Sequence, residues 1–448
     1  MKPLRIGIVG AGFSGTSLAA TLHKLAEKSK KTAEIFLFEK SGQFGPGVAY
    51  ATTSPFHLLN VPAEDMSAIE MEKRHFSDWL ARYINTSHCA GRWMCADGRF
   101  VSRCLYGDYL RDLTAEIAAS KTIRVHLIPE AVTAVQSSEK NIQMAGVTVD
   151  RVVLATGNPL PPKPLFAVSA TARLIDNPWD QRVYSKIAPD DSVVLLGSGL
   201  SMIDSVLSLY HQQHRGTICS VSRHGLLPEP HAESGAVYQF EGKQPVTLSG
   251  WMKYLRAESA EWMRKGENWR AVIHAMRGMI PEVWGAMSAA DKRRFLVHCQ
   301  TYWNIHRHRV PKEVSALLQQ LQKTGQLRVV SARVHAFQNE TLLIRQRGKK
   351  TEDRLQADWL INCTGPSPDL SRDPLILSLL NQGLVACDPH QLGLCVSPVG
   401  GLLDQRGKES QVFSALGSLC RGRFWEITAV PDIRRYNHVI ALALLKQM

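Results

Sequence analysis

The sequence predicts an α/β protein built from two Rossmann-like dinucleotide-binding domains, the second carrying a helical insertion. Three observations support this. A buried strand runs into a glycine turn and a helix twice, in "LRIGIVGAGFSGTSLAATL" near the start of the chain and in "VVLLGSGLSMIDSV" near its middle. Each unit is followed by a strand that ends in Thr-Gly with proline close behind, "VDRVVLATGNP" and later "ADWLINCTGPSPD". Between the second unit and its Thr-Gly strand, apolar residues switch to the three- and four-residue spacing of helices. A repeated pair of devices is much stronger evidence than one glycine pattern.

In the first unit, Ile6 to Val9 read as a strand buried on both faces, and Gly10-Ala11-Gly12-Phe13-Ser14-Gly15 as the turn into a helix. The first glycine permits the tight turn, the second lets backbone approach a pyrophosphate, and the third lets the helix pack closely on the strand. The next strand, "EIFLFEK", places Glu39 24 residues beyond Gly15. An acid at that strand end accepts hydrogen bonds from ribose hydroxyls and repels a 2′-phosphate. Thr156 and Gly157 end this unit's later strand.

The second unit, Gly197-Ser198-Gly199-Leu200-Ser201-Met202, has Met where the third glycine would stand, so its helix is expected to lie farther from its strand. After the strand "TICSVSRHG", Ser222-Arg223-His224 occupy the place that Glu39 holds in the first unit. Hydroxyl, guanidinium and imidazole there suit the 2′-phosphate of NADPH. The plain alternative is a surface arginine at a strand end. Gly365 belongs to the matching Thr-Gly strand, and "TIRVHLIPEAVTAVQ" and "QLRVVSARVHAFQ" alternate like small β-meanders in corresponding places.

The chain has 448 residues, 44% hydrophobic and 21% charged, as in a soluble protein of two or three domains. Lys and Arg total 53 against 40 Asp and Glu; the resulting +13 is spread along the chain, which favours anionic cofactors and substrates. No basic arm or aromatic-basic repeat marks a nucleic-acid partner. Nine cysteines without a Cys-x-x-Cys argue against a disulfide scaffold, a zinc ribbon and a dithiol redox pair. No metal is expected, because His306, His308 and Cys299 would need a further ligand. No apolar run reaches about 18 residues, so a soluble, cytoplasmic protein without a membrane span is expected.

At this point the chain resembles flavoproteins with FAD in a first dinucleotide-binding domain and NADPH in a second, the layout of glutathione-reductase-like enzymes and of flavin-dependent N-hydroxylating and Baeyer-Villiger monooxygenases. More closely, "GPGVAYATTSPFHLLNVPAEDMS", "RCLYGDYLRDL", "SRHGLLPEPH", "YWNIHRHR" and "RGRFWEITAVPDIR" are similar to motifs of a bacterial family of FAD/NAD(P)-binding proteins. The resemblance spans most of the chain. It implies an FAD-binding domain of residues 1–165 with 367–448, an NAD(P)H-binding domain of 166–243 with 327–366, and a helical insertion of 244–326. It also implies that Gly45 to Tyr50, including Gly47 and Val48, and His57 to Met66 form loops over the isoalloxazine, with Asn60 nearest the ring. The bland alternative makes Leu58, Leu59 and Val61 core and Asn60 a turn residue.

At the C-terminus a strand to Leu416, a turn at Gly417 and a helix entered near Thr428 with Pro431 in its first turn are expected. By the resemblance, that helix N-terminus faces the flavin pyrimidine. Gly417-Ser418 departs from the relatives' Gly-Asp, which shifts the ribityl or pyrophosphate contact onto backbone groups. Trp425 either faces the flavin or packs, and Glu426 is a candidate proton-handling group. In the insertion, His306-Arg307-His308-Arg309 reads as a solvated helix end or as an anion site.

The expected activity is an FAD-dependent oxidoreductase. NADPH would bind on Gly197, Gly199, Ser222 and Arg223 and pass hydride to flavin N5. The electrons then go either to oxygen, in an N- or S-hydroxylating monooxygenase, or to a small organic acceptor. The missing Cys-x-x-Cys disfavours dithiol reduction, and no Phe-x-Gly-x-x-x-His segment of the Baeyer-Villiger kind is present. The rival class is a redox sensor that holds both nucleotides with negligible turnover.

Overall fold

The computed structural model describes residues 3–84, 94–95, 98–137, 141–232 and 235–448; Cys89 lies outside them. The chain forms two compact units, one of Met1–Pro55, Val61–Pro159 and Pro368–Met448, the other of Phe56–Asn60 and Leu160–Ser367. The long crossings fall just behind the two Thr-Gly pairs. There the Ser367 N–H donates to the Leu160 carbonyl at 3.2 Å, so the two connecting segments run side by side. Phe56–Asn60 clusters with the second unit, a difference from the sequence expectation. His57 Nε2 lies 3.1 Å from the Asp204 carbonyl and 2.9 Å from Ser208 Oγ, and Phe56 stacks on His211.

The first unit's sheet runs Gly401–Leu403, Glu409–Ala415, Arg151–Leu154, Leu4–Val9, Ala33–Phe38, Arg124–Ile128, and every pair but the first is parallel. Parallel strands covered on both faces read as apolar runs. Ile6, Ile8, Ile35 and Leu37 are accordingly fully buried. The helix Phe13–Ser29 packs against both the helix Arg103–Ala118 and the C-terminal helix Val430–Leu445. A meander of Gln136–Ser137, Ile142–Met144 and Val147–Val149 lies on the first strand, where a Cβ on Gly7 would meet Met144 Sδ at 2.8 Å.

The second unit's parallel core is Ile218–Ser222, Val193–Leu196, Trp359–Asn362 and Leu174–Ile175. Leu327–Gln338 joins it parallel to Ile218–Ser222 through Ser331 and, from Ala332 on, pairs antiparallel with Thr341–Gln346, with a bulge between Val334 and Ala336. The two alternating segments therefore are not simply meanders. Each opens as a strand of its main sheet, and Arg124–Ile128 alternates because it is a partly solvated edge.

The helical stretch comprises Leu248–Arg264, Arg270–Ala286, Ala289–Arg294, Gln300–Arg307 and Lys312–Lys323, with a π-helical turn at Phe295–Cys299. Among the described residues no helix is long and apolar enough to cross a membrane.

Candidate functional site

In the first unit the strand ends converge on the glycine turn. Gly10 has φ +102°, and a Cβ there would sit 2.3 Å from the Ala155 carbonyl oxygen, so only glycine fits. A Cβ on Gly15 would sit 2.0 Å from the Gly10 carbonyl oxygen. Gly12 caps the helix without any side-chain acceptor, which leaves first-turn N–H groups available to an anion.

The loop Gly45 to Tyr50 is fixed over this turn by backbone approach. The Gly45 N–H donates to the Ala11 carbonyl at 2.8 Å, and a Cβ on Gly12 would lie 3.3 Å from Gly47 Cα. Gly107 of the helix Arg103–Ala118 lets the Tyr50 carbonyl approach, because a Cβ there would meet that oxygen at 2.3 Å. The Tyr50 ring packs edge-on against Tyr106 at 4.6 Å, and burial pushes its hydroxyl pKa up to about 12. Val48 is 64% exposed, an apolar side chain presented outward beside the cradle.

Glu39 holds the cradle as well as facing it. The Ala11 N–H donates to Oε2 at 3.0 Å, and the Ser41 N–H and hydroxyl donate to Oε1 at 3.1 and 2.8 Å. A carboxylate offers about four acceptor sites, so at least one remains for a ribose hydroxyl. Thr156 is half-buried, and Gly157, at φ +76°, has open space where a Cβ would stand. Gly417 is buried with φ +63°, and a Cβ there would meet Ser14 Oγ at 2.8 Å. Ser14 thus supports the C-terminal turn, and its carbonyl accepts from Asn437 Nδ2 at 3.0 Å.

Other side chains proposed here are packed away. Met66 is 1% exposed, which leaves its side chain no surface to offer a ligand. Trp425 is 4% exposed under the Arg421 guanidinium, 4.2 Å from the ring centre. Glu426 is 5% exposed; burial lowers the Arg421 pKa and the Glu426 charge partly offsets it. The burial of Trp425 accords with its packing alternative. The helix Val430–Leu445 begins without a side-chain cap, and Asp432 in its first turn already answers its dipole.

In the second unit Gly197 repeats Gly10: φ is +108°, and a Cβ would meet the Cys363 carbonyl oxygen at 2.6 Å. Gly199 caps the helix Leu200–His211, again without a side-chain acceptor, and nothing stands within 4 Å of where its Cβ would be. Met202 is fully buried in the place of the third glycine. The Ser201 hydroxyl accepts from Trp179 Nε1 at 3.4 Å, and Gly365 has open space beside it at φ +89°.

Ser222 ends the neighbouring strand, where its Oγ accepts from Ser198 Oγ at 2.9 Å and from the Gly225 N–H at 3.0 Å. Arg223 is exposed next to it. Arg347 is a cation that sequence reading missed: its Nη1 lies 3.4 Å from His224 Nδ1, and its N–H donates to the Ser331 carbonyl at 2.9 Å. Burial, then Arg347 and Arg223, lower the His224 pKa. Arg223 and Arg347 thus both lie near His224 at the strand end that carries Ser222. Asn60, in this unit by contact, shows a structural use: its carbonyl oxygen is 3.0 Å from His231 Nε2.

The residues fit the two nucleotides: two uncapped helix ends approachable by backbone, one backed by a carboxylate and the other by cations. Residues 7–159 match the model of a family described as FAD-NAD(P)-binding. The ornithine N-hydroxylase of Kutzneria sp. 744 is 13% identical with a TM-score of 0.68, the match covering 99% of each chain. The L-lysine 6-monooxygenase of Pseudomonas syringae is 15% identical with a TM-score of 0.65, covering 98% of this chain and 99% of that one. The bacillithiol disulfide reductase of Staphylococcus aureus is 11% identical with a TM-score of 0.58, covering 100% and 99%. At these identities the likeness is one of fold. No curated protein matches the chain by sequence.

Proposed function

We propose that this chain, whose residues 7–159 carry the FAD-NAD(P)-binding domain, is an FAD-dependent NADPH oxidoreductase that oxygenates a small molecule at a soft nucleophile such as an amine or a sulfide. The observation that carries the reading is the contrast between the two cradles. Glu39 stands behind the first, and Arg223, His224 and Arg347 stand behind the second. A carboxylate selects ribose hydroxyls and guanidinium groups select a 2′-phosphate.

When bound, FAD supplies the two-electron chemistry, taking hydride from NADPH and passing the electrons to the acceptor. The chain's part is to bind and orient. Gly10, Gly12 and Gly15 would bring backbone N–H groups to the FAD pyrophosphate, and Gly45 to Tyr50, packed on that turn, would form a loop over the isoalloxazine. Gly197, Gly199 and Ser201 do the same for NADPH, with Ser222, Arg223 and Arg347 on its 2′-phosphate.

Oxygen as acceptor is favoured because the N-hydroxylases named above share the fold across nearly all of this chain. Reduction of a small organic acceptor is the second reading, and the disulfide reductase of the same fold supports it.

The test adds NADPH, with NADH for comparison, to the FAD-loaded protein under anaerobic conditions while oxidised-flavin absorbance is followed. Faster bleaching by NADPH supports the reading, whereas FAD that neither nucleotide reduces favours a sensor. Labelled oxygen in the product of a candidate amine or sulfide identifies the monooxygenase; product formed equally well without oxygen overturns it.

A further inference from the structure

The segment His306-Arg307-His308-Arg309 does not end in solvent. Arg307 is 9% exposed and Arg309 is 8% exposed. Arg309 Nε is buried and has no hydrogen-bond partner among the described residues. The third member, Arg270, is 16% exposed in its side chain, donates through Nε to the Pro230 carbonyl at 2.8 Å, and places Nη2 3.3 Å from Glu229 Oε2.

The backbone holds these groups together. The Glu229 N–H donates to the Ile305 carbonyl at 2.9 Å, the Val310 N–H to the Glu229 carbonyl at 3.0 Å, and the His231 N–H to the Val310 carbonyl at 2.8 Å. Trp269 carries the Arg270 guanidinium 4.4 Å above its ring and meets His306 edge-on. Arg270 and Arg307 therefore lie close enough to Arg309 for their charges to act on it, and Arg270 pairs with Glu229.

A buried cation without a partner is costly and persists where an anion completes it. Burial, then the charges of Arg307 and Arg270, depress the Arg309 pKa to about 10. The charges that act on His224 at the 2′-phosphate corner are Arg347 and Arg223, a different set. The two basic clusters are thus built from different residues.

We propose that Arg270, Arg307 and Arg309 form a binding site for the oxyanion of a small-molecule substrate, a carboxylate or phosphate ester, separate from the nicotinamide dinucleotide. Only the word substrate rests on the oxidoreductase reading; the anion site itself does not. Planar guanidinium forks match either oxyanion in bidentate geometry.

The experiment titrates citrate and inorganic phosphate into the FAD-loaded protein by calorimetry, with wild type, Arg309→Met and Arg309→Lys compared. Wild type is expected to bind one of the anions saturably, Arg309→Met to bind it at least about tenfold more weakly, and Arg309→Lys to fall between. Without anion, Arg309→Met is expected to melt no lower than wild type, which separates lost binding from lost folding. Absence of saturable binding, equal binding by Arg309→Met, or displacement of the bound anion by 2′,5′-ADP overturns the proposal. Anion binding that fails while NADPH still bleaches the flavin removes this inference alone. Bleaching that fails while the anion still binds removes the oxidoreductase reading and leaves the site.

Discussion

Arg347 and Arg223 reach the same corner from opposite directions in the chain. Arg223 follows a strand end in the second glycine unit, where the pattern of such domains points to it. Arg347 follows Thr341–Gln346, a strand paired antiparallel with Leu327–Gln338, and nothing local marks it. Charge-assisted hydrogen bonds contribute about 1.5–3 kcal/mol each, so Arg223→Ala and Arg347→Ala are each expected to weaken NADPH by about 10- to 100-fold while leaving NADH nearly unchanged. Anaerobic flavin reduction at varied nucleotide concentration measures this. An equal loss for both nucleotides would place Arg347 elsewhere than on the 2′-phosphate. Residue identity alone did not show the burial of Met66 and Trp425, because an apolar side chain beside a cofactor loop reads the same whether it faces the ligand or the core. For Arg307 and Arg309 the sequence left a solvated helix end and an anion site both open, because only tertiary packing reveals their burial.

At the scale of elements, the glycine units were legible because Gly10, Gly15 and Gly197 each answer a local demand, a positive φ or a backbone contact that no side chain permits. The union of the C-terminal helix with the loop around Met66 was not legible, since it depends on partners far apart in sequence. Arg434, 7% exposed in its side chain, places Nε 2.9 Å from Glu70 Oε2 and donates through Nη1 to the carbonyls of Asp65 and Ser67 at 2.8 and 3.0 Å. A hydrogen bond to a charged group contributes about 1.5–3 kcal/mol, and Glu70 keeps Lys73 as a partner, so Arg434→Met is expected to lower the denaturant midpoint, and an unchanged midpoint would show that the loop is held by other contacts. The same pair predicts a pH dependence. Burial raises the Glu70 pKa, but hydrogen bonds and charges from Lys73 and Arg434 outweigh it and hold the carboxyl below its ordinary 4.5. The sign follows from that direction: this stabilisation is fully present above 4.5 and is lost as pH falls through the lower folded-state value. Urea denaturation at stepped pH should show a slope in that window which Glu70→Gln removes.

For the whole molecule, the two fingerprints predict two separable binding events. The second unit has its own core, with Val194, Leu196, Val221, Phe337, Leu342, Ile344 and Leu360 all buried together. Its glycine turn, its cations and its closing Thr-Gly strand all lie within Leu160–Ser367. The first unit likewise closes its cradle with its own residues, from Gly10 to Gly47 to Gly417. A domain with its own core keeps its site when another domain loses its ligand. Gly12→Val puts a branched side chain where the pyrophosphate must approach backbone and where the Gly47 loop already lies close. The variant is therefore expected to purify without the yellow of FAD and to bind 2′,5′-ADP within about twofold of wild type, as independent sites do. Calorimetry with 2′,5′-ADP on FAD-stripped wild type and on the variant makes the comparison. Loss of both ligands would mean that FAD binding organises the NADPH corner, and the second fingerprint would then depend on the first.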